Sequence, residues 1–125
     1  MGFFNFSSKP EETLNWSSIT SVEMLVDVYS NSESKPNLFF KHSTRCSISS
    51  MALNGFERNW NKEVECNLYF IDLIAHRDVS QKLAELSGVI HQSPQAIVVS
   101  ANKIIYSATH SGIDAADIES RITTK

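Results

Sequence analysis

Apolar residues in this chain recur with two alternating periods, short runs that suit strands and three-to-four spacings that suit helices. Thr13-Leu14-Asn15-Trp16 is a short candidate first strand. Thr20 and Glu23 form a capping box, with Ile19 and Met24 in hydrophobic-staple positions. Val22, Leu25, Val26 and Tyr29 follow on one helical stripe, and the polar stretch Asn31 to Pro36 ends that helix. Leu38-Phe39-Phe40 reads as a buried strand leading into Lys41-His42. A second helical period places Ile48, Met51, Ala52 and Phe56 inward and Glu57, Arg58 and Asn59 on the wet side.

Leu68 to Ile71 predicts the next strand, ending at Asp72. Asp78 then caps a helix with Gln81 at its N3 position, Val79, Leu83 and Leu86 face inward, and Gly88 stops it. Ser93-Pro94 marks a turn before the β-branched strand Ala96 to Val99. Ala101-Asn102 is a tight connection to an antiparallel partner, Lys103 to Ser107. Asp114 caps the last helix, with Ile113 and Ile118 as its staple. The order β-α-β-α-β-α-β-β-α predicts an α/β domain: a central mixed sheet of three parallel strands plus a C-terminal antiparallel hairpin strand, flanked by helices. Residues 13–125 form that single domain, preceded by an N-terminal arm, 1–12.

Composition narrows the function classes. The chain has 125 residues, 42% of them hydrophobic, enough for one core. Its formal charge of −3 argues against nucleic-acid binding driven by bulk charge, and no apolar run is long enough to span a membrane. The opening MGFFNFSSKPEE lacks the pattern of a secretory signal, and a myristoylation reading of Met1-Gly2 fails at Phe6, which makes the cytoplasm the default address. No Gly-rich phosphate loop or metal-ligand spacing occurs, so neither nucleotide nor metal is expected.

The two cysteines carry the candidate chemistry. Cys46 falls where a buried strand hands over to a helix, with Thr44 as the expected N-cap. Its sulfur then lies in the first helical turn, beside unpaired N–H groups, the positive end of the helix dipole and Arg45. Such surroundings stabilise a thiolate, the nucleophilic form. The plainer reading is an inert thiol packed in a core, but Ser43, Thr44, Arg45, Ser47 and Ser49 are poor company for an apolar filler. Cys66 lies at the entry of the third strand and reads as a packed thiol. Strand starts and strand ends occupy opposite edges of a parallel sheet, so Cys66 is not expected to resolve a disulfide on Cys46.

The layout resembles the thioredoxin fold: a Cys at a strand–helix junction, Gly88-Val89, Ser93-Pro94 before a strand, and a closing hairpin plus helix. Phe40-Lys41-His42-Ser43-Thr44-Arg45-Cys46-Ser47-Ile48-Ser49, followed by His91-Gln92-Ser93-Pro94-Gln95, is similar to the bacillithiol-system YtxJ family of monothiol bacilliredoxin-like proteins over roughly residues 14–122. That family often has Thr-Cys-Pro-Ile-Ser, whereas this chain has Arg45 before Cys46 and Ser47 after it.

The resemblance implies a cis proline at Pro94 facing the thiol, and monothiol exchange through Cys46, because Ser49 stands where a dithiol enzyme has its second Cys. Ser49 would polarise the nucleophile, and the backbone at Ser93-Pro94 would align the incoming disulfide. Thr44, Arg45, Ser93 and Pro94 are the substrate-binding candidates; His42 and His110 are auxiliary proton-handling candidates, with a surface or hydrogen-bonding histidine as the plainer reading of each. The expected partners are thiolated client proteins and a small thiol, bacillithiol or similar, as co-substrate, with no other cofactor. Two alternatives stand beside this: a non-catalytic thioredoxin-fold binding or stress-associated module, and a dithiol reductase that borrows Cys66.

Overall fold

The computed structural model describes residues 14–123, so the N-terminal arm with Phe3, Phe4 and Phe6 lies outside it. The elements are β1 (Ser17–Ser18), α1 (Val22–Ser30), β2 (Asn37–His42), α2 (Ser47–Asn59), β3 (Asn67–Asp72), α3 (Arg77–Ser87), β4 (Gln95–Ser100), β5 (Lys103–Thr109), a 3-10 turn (His110–Gly112) and α4 (Ala115–Thr123). They follow the predicted order, although the first strand lies beyond Trp16 rather than over residues 13–16. The sheet order is β1-β3-β2-β4-β5; β1, β3 and β2 run parallel, while β4 is antiparallel to both β2 and β5.

Helices cover both faces of the sheet, so successive residues of a central strand enter different cores. Leu38, Phe40, Ala96 and Val98 point to one core, against Phe56 of α2 and Ile118 of α4. Phe39, Ile97 and Val99 point to the other, against Leu25 of α1 and Val79 and Leu83 of α3. All six residues of β2 are buried, including the polar Lys41 and His42 that follow its apolar run. At roughly 25 cal/mol per Å² such two-sided apolar burial is the main force holding the sheet to its helices.

Several local expectations shift by a residue or a face. Ser21, not Thr20, caps α1 by accepting the Met24 N–H at 3.1 Å. That rotates the buried stripe onto Leu25, Val28 and Tyr29 and leaves Met24 and Val26 exposed. In α3 the N-cap residue is His76, and Asp78 lies inside the first turn. Glu57 is buried rather than wet, because Trp16 Nε1–H donates to its Oε2 at 2.8 Å. Ile48 and Met51 are instead exposed, at 55% and 72%. Gly88 ends α3 as expected, in the left-handed conformation (φ 74°) that glycine adopts without a Cβ clash. Ala101 and Asn102 both have positive φ, 51° and 65°, which turns β4 back into β5.

Candidate functional site

The sheet gathers the candidate residues at one edge. β4 starts beside the end of β2, with Gln95 in register with Lys41, so the Ser93-Pro94 turn and the segment leading to Cys46 lie at the same edge. The Ser93-Pro94 peptide is cis. His110 N–H donates to Pro94 O at 3.1 Å, and Leu73 N–H to His42 O at 2.9 Å, tying the ends of β5 and β3 to that edge.

Cys46 itself, rather than Thr44, is the N-cap of α2. Residues 43–46 first close a turn of their own, with Cys46 N–H donating to Ser43 O at 3.1 Å, which postpones the helix. The first helical bond then runs from Ser50 N–H to Cys46 O, also at 3.1 Å. Cys46 makes no side-chain capping bond, is half-buried, and stands at the positive end of a helix whose first turn holds no acidic residue. Thr44 and Arg45 are exposed on the preceding turn.

Ser49 is fully buried one helical turn on, and its hydroxyl is engaged elsewhere. It accepts Ser43 N–H at 3.1 Å and lies 2.7 Å from His42 Nδ1. With the His42 proton on Nε2, Ser49 donates its one proton to Nδ1; with a proton on Nδ1, the ring donates and the Ser49 O–H is left to donate to another acceptor. Burial pushes the His42 pKa down, against a smaller upward pull from Asp72, so the ring is neutral at pH 7. Ser49→Ala would strand the Ser43 N–H and a buried imidazole nitrogen together. It is expected to lower the unfolding free energy by about 1–3 kcal/mol, read from the urea midpoint.

Pro94 is buried and Ser93 half-buried, and the Ser93 Oγ atom is enclosed without a hydrogen-bond partner. His110, exposed and with φ 54°, begins the 3-10 turn. It lines a groove of about 400 Å³ between α2 and the start of α4, with Ile48, Met51 and Phe56 on the opposite wall. Sequence reading missed a second polar cluster. Lys41 is fully buried, with Nζ 3.1 Å from His91 Nδ1, and Ser80 Oγ lies 3.0 Å from the same nitrogen. Burial brings the Lys41 pKa down to about 8. No local signal marks this cluster: the burial of Lys41 follows from the place of β2 between β3 and β4 with helices on both faces.

Cys66 precedes β3 at the other end of the sheet. Asn67 is in register with Asn37, so the six residues of β2 separate Cys66 from the Cys46 turn, about 20 Å at strand rise. Both thiols are free, and no intrachain disulfide can span that distance. Burial pushes the Cys66 thiol up to about 12, partly opposed by the Leu38 backbone and Lys35. Among the described residues no group of three or more His, Cys, Asp or Glu side chains is placed to hold a metal, and no helix is long and apolar enough to cross a membrane.

A thioredoxin-fold protein with a free thiol at the head of a helix is the class that this sheet, this proline and Cys46 define. Solved structures of similar fold include a protein with a thioredoxin fold (24% identity, TM-score 0.74, covering 85% of this chain and 92% of that one). A thioredoxin from Malassezia sympodialis (18%, 0.64, 85% and 86%) and one from Trypanosoma brucei brucei (13%, 0.67, 86% and 87%) are also similar. The chain belongs to the monothiol bacilliredoxin BrxC family, whose profile matches residues 17–118. Its function is thiol redox chemistry, and its partners are thiol-related.

Proposed function

We propose that the protein removes bacillithiol, or a similar small thiol, from mixed disulfides on client proteins. Cys46 thiolate attacks the small-thiol sulfur; the Cys46–S–S–R bond forms as the client–S–S–R bond breaks, and the client leaves as its own thiolate. One disulfide replaces another, so the step needs no external oxidant or reductant. A second free thiol, or a dedicated reductase, then takes R from Cys46 by the same exchange. Recycling of this kind suits a reducing compartment, and the cytoplasm is the one we propose.

The observation that carries this reading is the isolation of Cys46: Ser49 stands where a resolving thiol would sit, and Cys66 lies at the opposite edge of the sheet. In this scheme Thr44, Arg45 and the Ser93-Pro94 backbone border the incoming disulfide. The exposed Ile48 and Met51 give client proteins an apolar footing beside the thiol, and His42 acts through Ser49. His110, across the groove, is the other proton-handling candidate.

Mixing the protein with a test client carrying a small-thiol mixed disulfide, followed by intact-mass analysis, tests the reading. The expected result is a small-thiol adduct on Cys46 in step with release of free client. Accumulation of a disulfide between the two proteins, or no adduct at all, would count against it. The adduct on Cys46 after isolation from the source cell would name the physiological thiol.

A further inference from the structure

Among the described residues the buried Lys41 is a cation without a counter-ion. Its partner is the neutral nitrogen of His91, on the sheet face that carries α3. Asp72, in register with His42, follows the other alternation of β2 and turns its Oδ1 to the N–H groups of Ile74 and Ala75, at 3.1 and 3.2 Å. Nearby, Gln95 is buried in register with Lys41; its Nε2 donates to Ile90 O at 3.0 Å while its Oε1 has no partner. An uncompensated charge in a low-dielectric interior costs stability, and its field is felt at the nearest surface.

That surface is the segment before the cis proline. An ammonium only donates, so Nδ1 of His91 is an acceptor and the ring proton is on Nε2. The Nδ1 side is covered by Lys41 and Ser80 while the residue as a whole is exposed, three positions before Pro94. The enclosed, unpartnered Ser93 Oγ lies between them in sequence, and the exposed Arg45 stands on the turn before Cys46 at the same edge. An N–H donor polarised by a fixed positive charge suits an anionic acceptor such as a carboxylate oxygen.

We infer that His91, backed by the buried Lys41, is the specificity-determining residue of the exchange site and favours mixed disulfides whose small-thiol half carries a carboxylate. Lys41 acts as a positioning residue, since it reaches the ligand only through His91. The inference rests on the exchange chemistry proposed above and adds the residues that select the small thiol.

One test client loaded with mercaptosuccinate or with thioglycerol supplies an acidic and a neutral disulfide on the same protein. The measured quantity is the ratio of their exchange rates in wild type, Lys41→Met, His91→Gln and Lys62→Met. Comparing ratios between proteins cancels the intrinsic reactivity of the two probes. Lys62→Met removes the same formal charge at the far end of the sheet, near Cys66. The acidic-to-neutral ratio is expected to fall roughly tenfold in Lys41→Met and in His91→Gln, the loss of one charge-assisted hydrogen bond, and to stay at the wild-type value in Lys62→Met. A ratio unchanged in His91→Gln, or an equal fall in Lys62→Met, overturns the inference. Wild-type protein that exchanges neither disulfide overturns the exchange reading itself, and this one with it.

Discussion

Cys46→Ala is expected to remove exchange activity to background, at least about 1,000-fold below wild type, while Cys66→Ser retains it within about twofold. The asymmetry follows from where the two sulfurs sit. Cys46 is half-buried at the head of α2, at the edge shared with the cis-proline turn. Cys66 donates to Asn67 O at 3.5 Å and, with its thiol pushed up to about 12, stays protonated at pH 7. It therefore cannot stand in for the missing nucleophile, even if a disulfide reached it. Iodoacetamide at pH 7 should accordingly label one site on the native wild type, none in Cys46→Ala, and two after unfolding. Prompt labelling of native Cys46→Ala, or loss of exchange in Cys66→Ser with an intramolecular disulfide seen by mass spectrometry, would restore the dithiol alternative.

Lys41→Met is expected to make the protein more stable at neutral pH, by about 1–3 kcal/mol, and to remove a pH dependence from its stability curve. The Lys41 pKa is about 8 in the folded chain against 10.5 for an ordinary lysine. A displacement of that size corresponds to roughly 3 kcal/mol of cost for keeping the ammonium inside, reduced in the variant by about 1 kcal/mol for the lost contact with His91. The sign is fixed by proton counting. Between pH 8 and 10.5 the unfolded chain holds more protons on this residue than the folded one, so its contribution rises with pH across that window. Below pH 8 the full cost is present. Cys66 and the tyrosines Tyr29, Tyr69 and Tyr106, whose pKa values are raised, act in the opposite sense as they ionise. The informative quantity is therefore the wild-type minus variant difference in urea unfolding free energy at pH 7 and pH 10. If that difference is independent of pH, Lys41 does not titrate as its burial demands.

The element order and the site's outline were legible in the sequence because both depend on local signals. A β-branched run after Ser-Pro, a glycine after a helical period and a cysteine after an apolar run each carry their meaning within a few residues. What was not legible depends on contacts distant in sequence. Whether Thr20 or Ser21 caps α1 is decided by which hydroxyl meets the Met24 N–H; the capping-box pattern points to Thr20, because Glu23 stands three residues after it, and the contact overrides that pattern. Glu57 reads as solvent-facing until Trp16, 41 residues earlier, supplies its donor. The same holds for Lys41: a charged residue after Leu38-Phe39-Phe40 looks like the end of burial. The placement of β2 between β3 and β4, with α3 below and the 91–94 segment at its end, makes it the middle of the molecule. The resemblance located Ser49 near the thiol but not the direction of its hydroxyl, which His42 and Ser43 determine.

The two thiols at opposite ends of β2 have a consequence for kinetics. An enzyme with a resolving cysteine resets itself at a rate set by its own geometry, whatever its surroundings contain. With Cys66 about six strand residues away from the Cys46 turn, a small thiol held on Cys46, as the proposed exchange requires, has no unimolecular route off. Under the proposed chemistry, each turnover waits for a collision with an outside thiol, so the loaded fraction follows the oxidised-to-reduced ratio of the small-thiol pool. The protein then works as a gauge of that pool as much as a repairer of clients, and depleting the free thiol should halt it in a covalently marked state that can be counted.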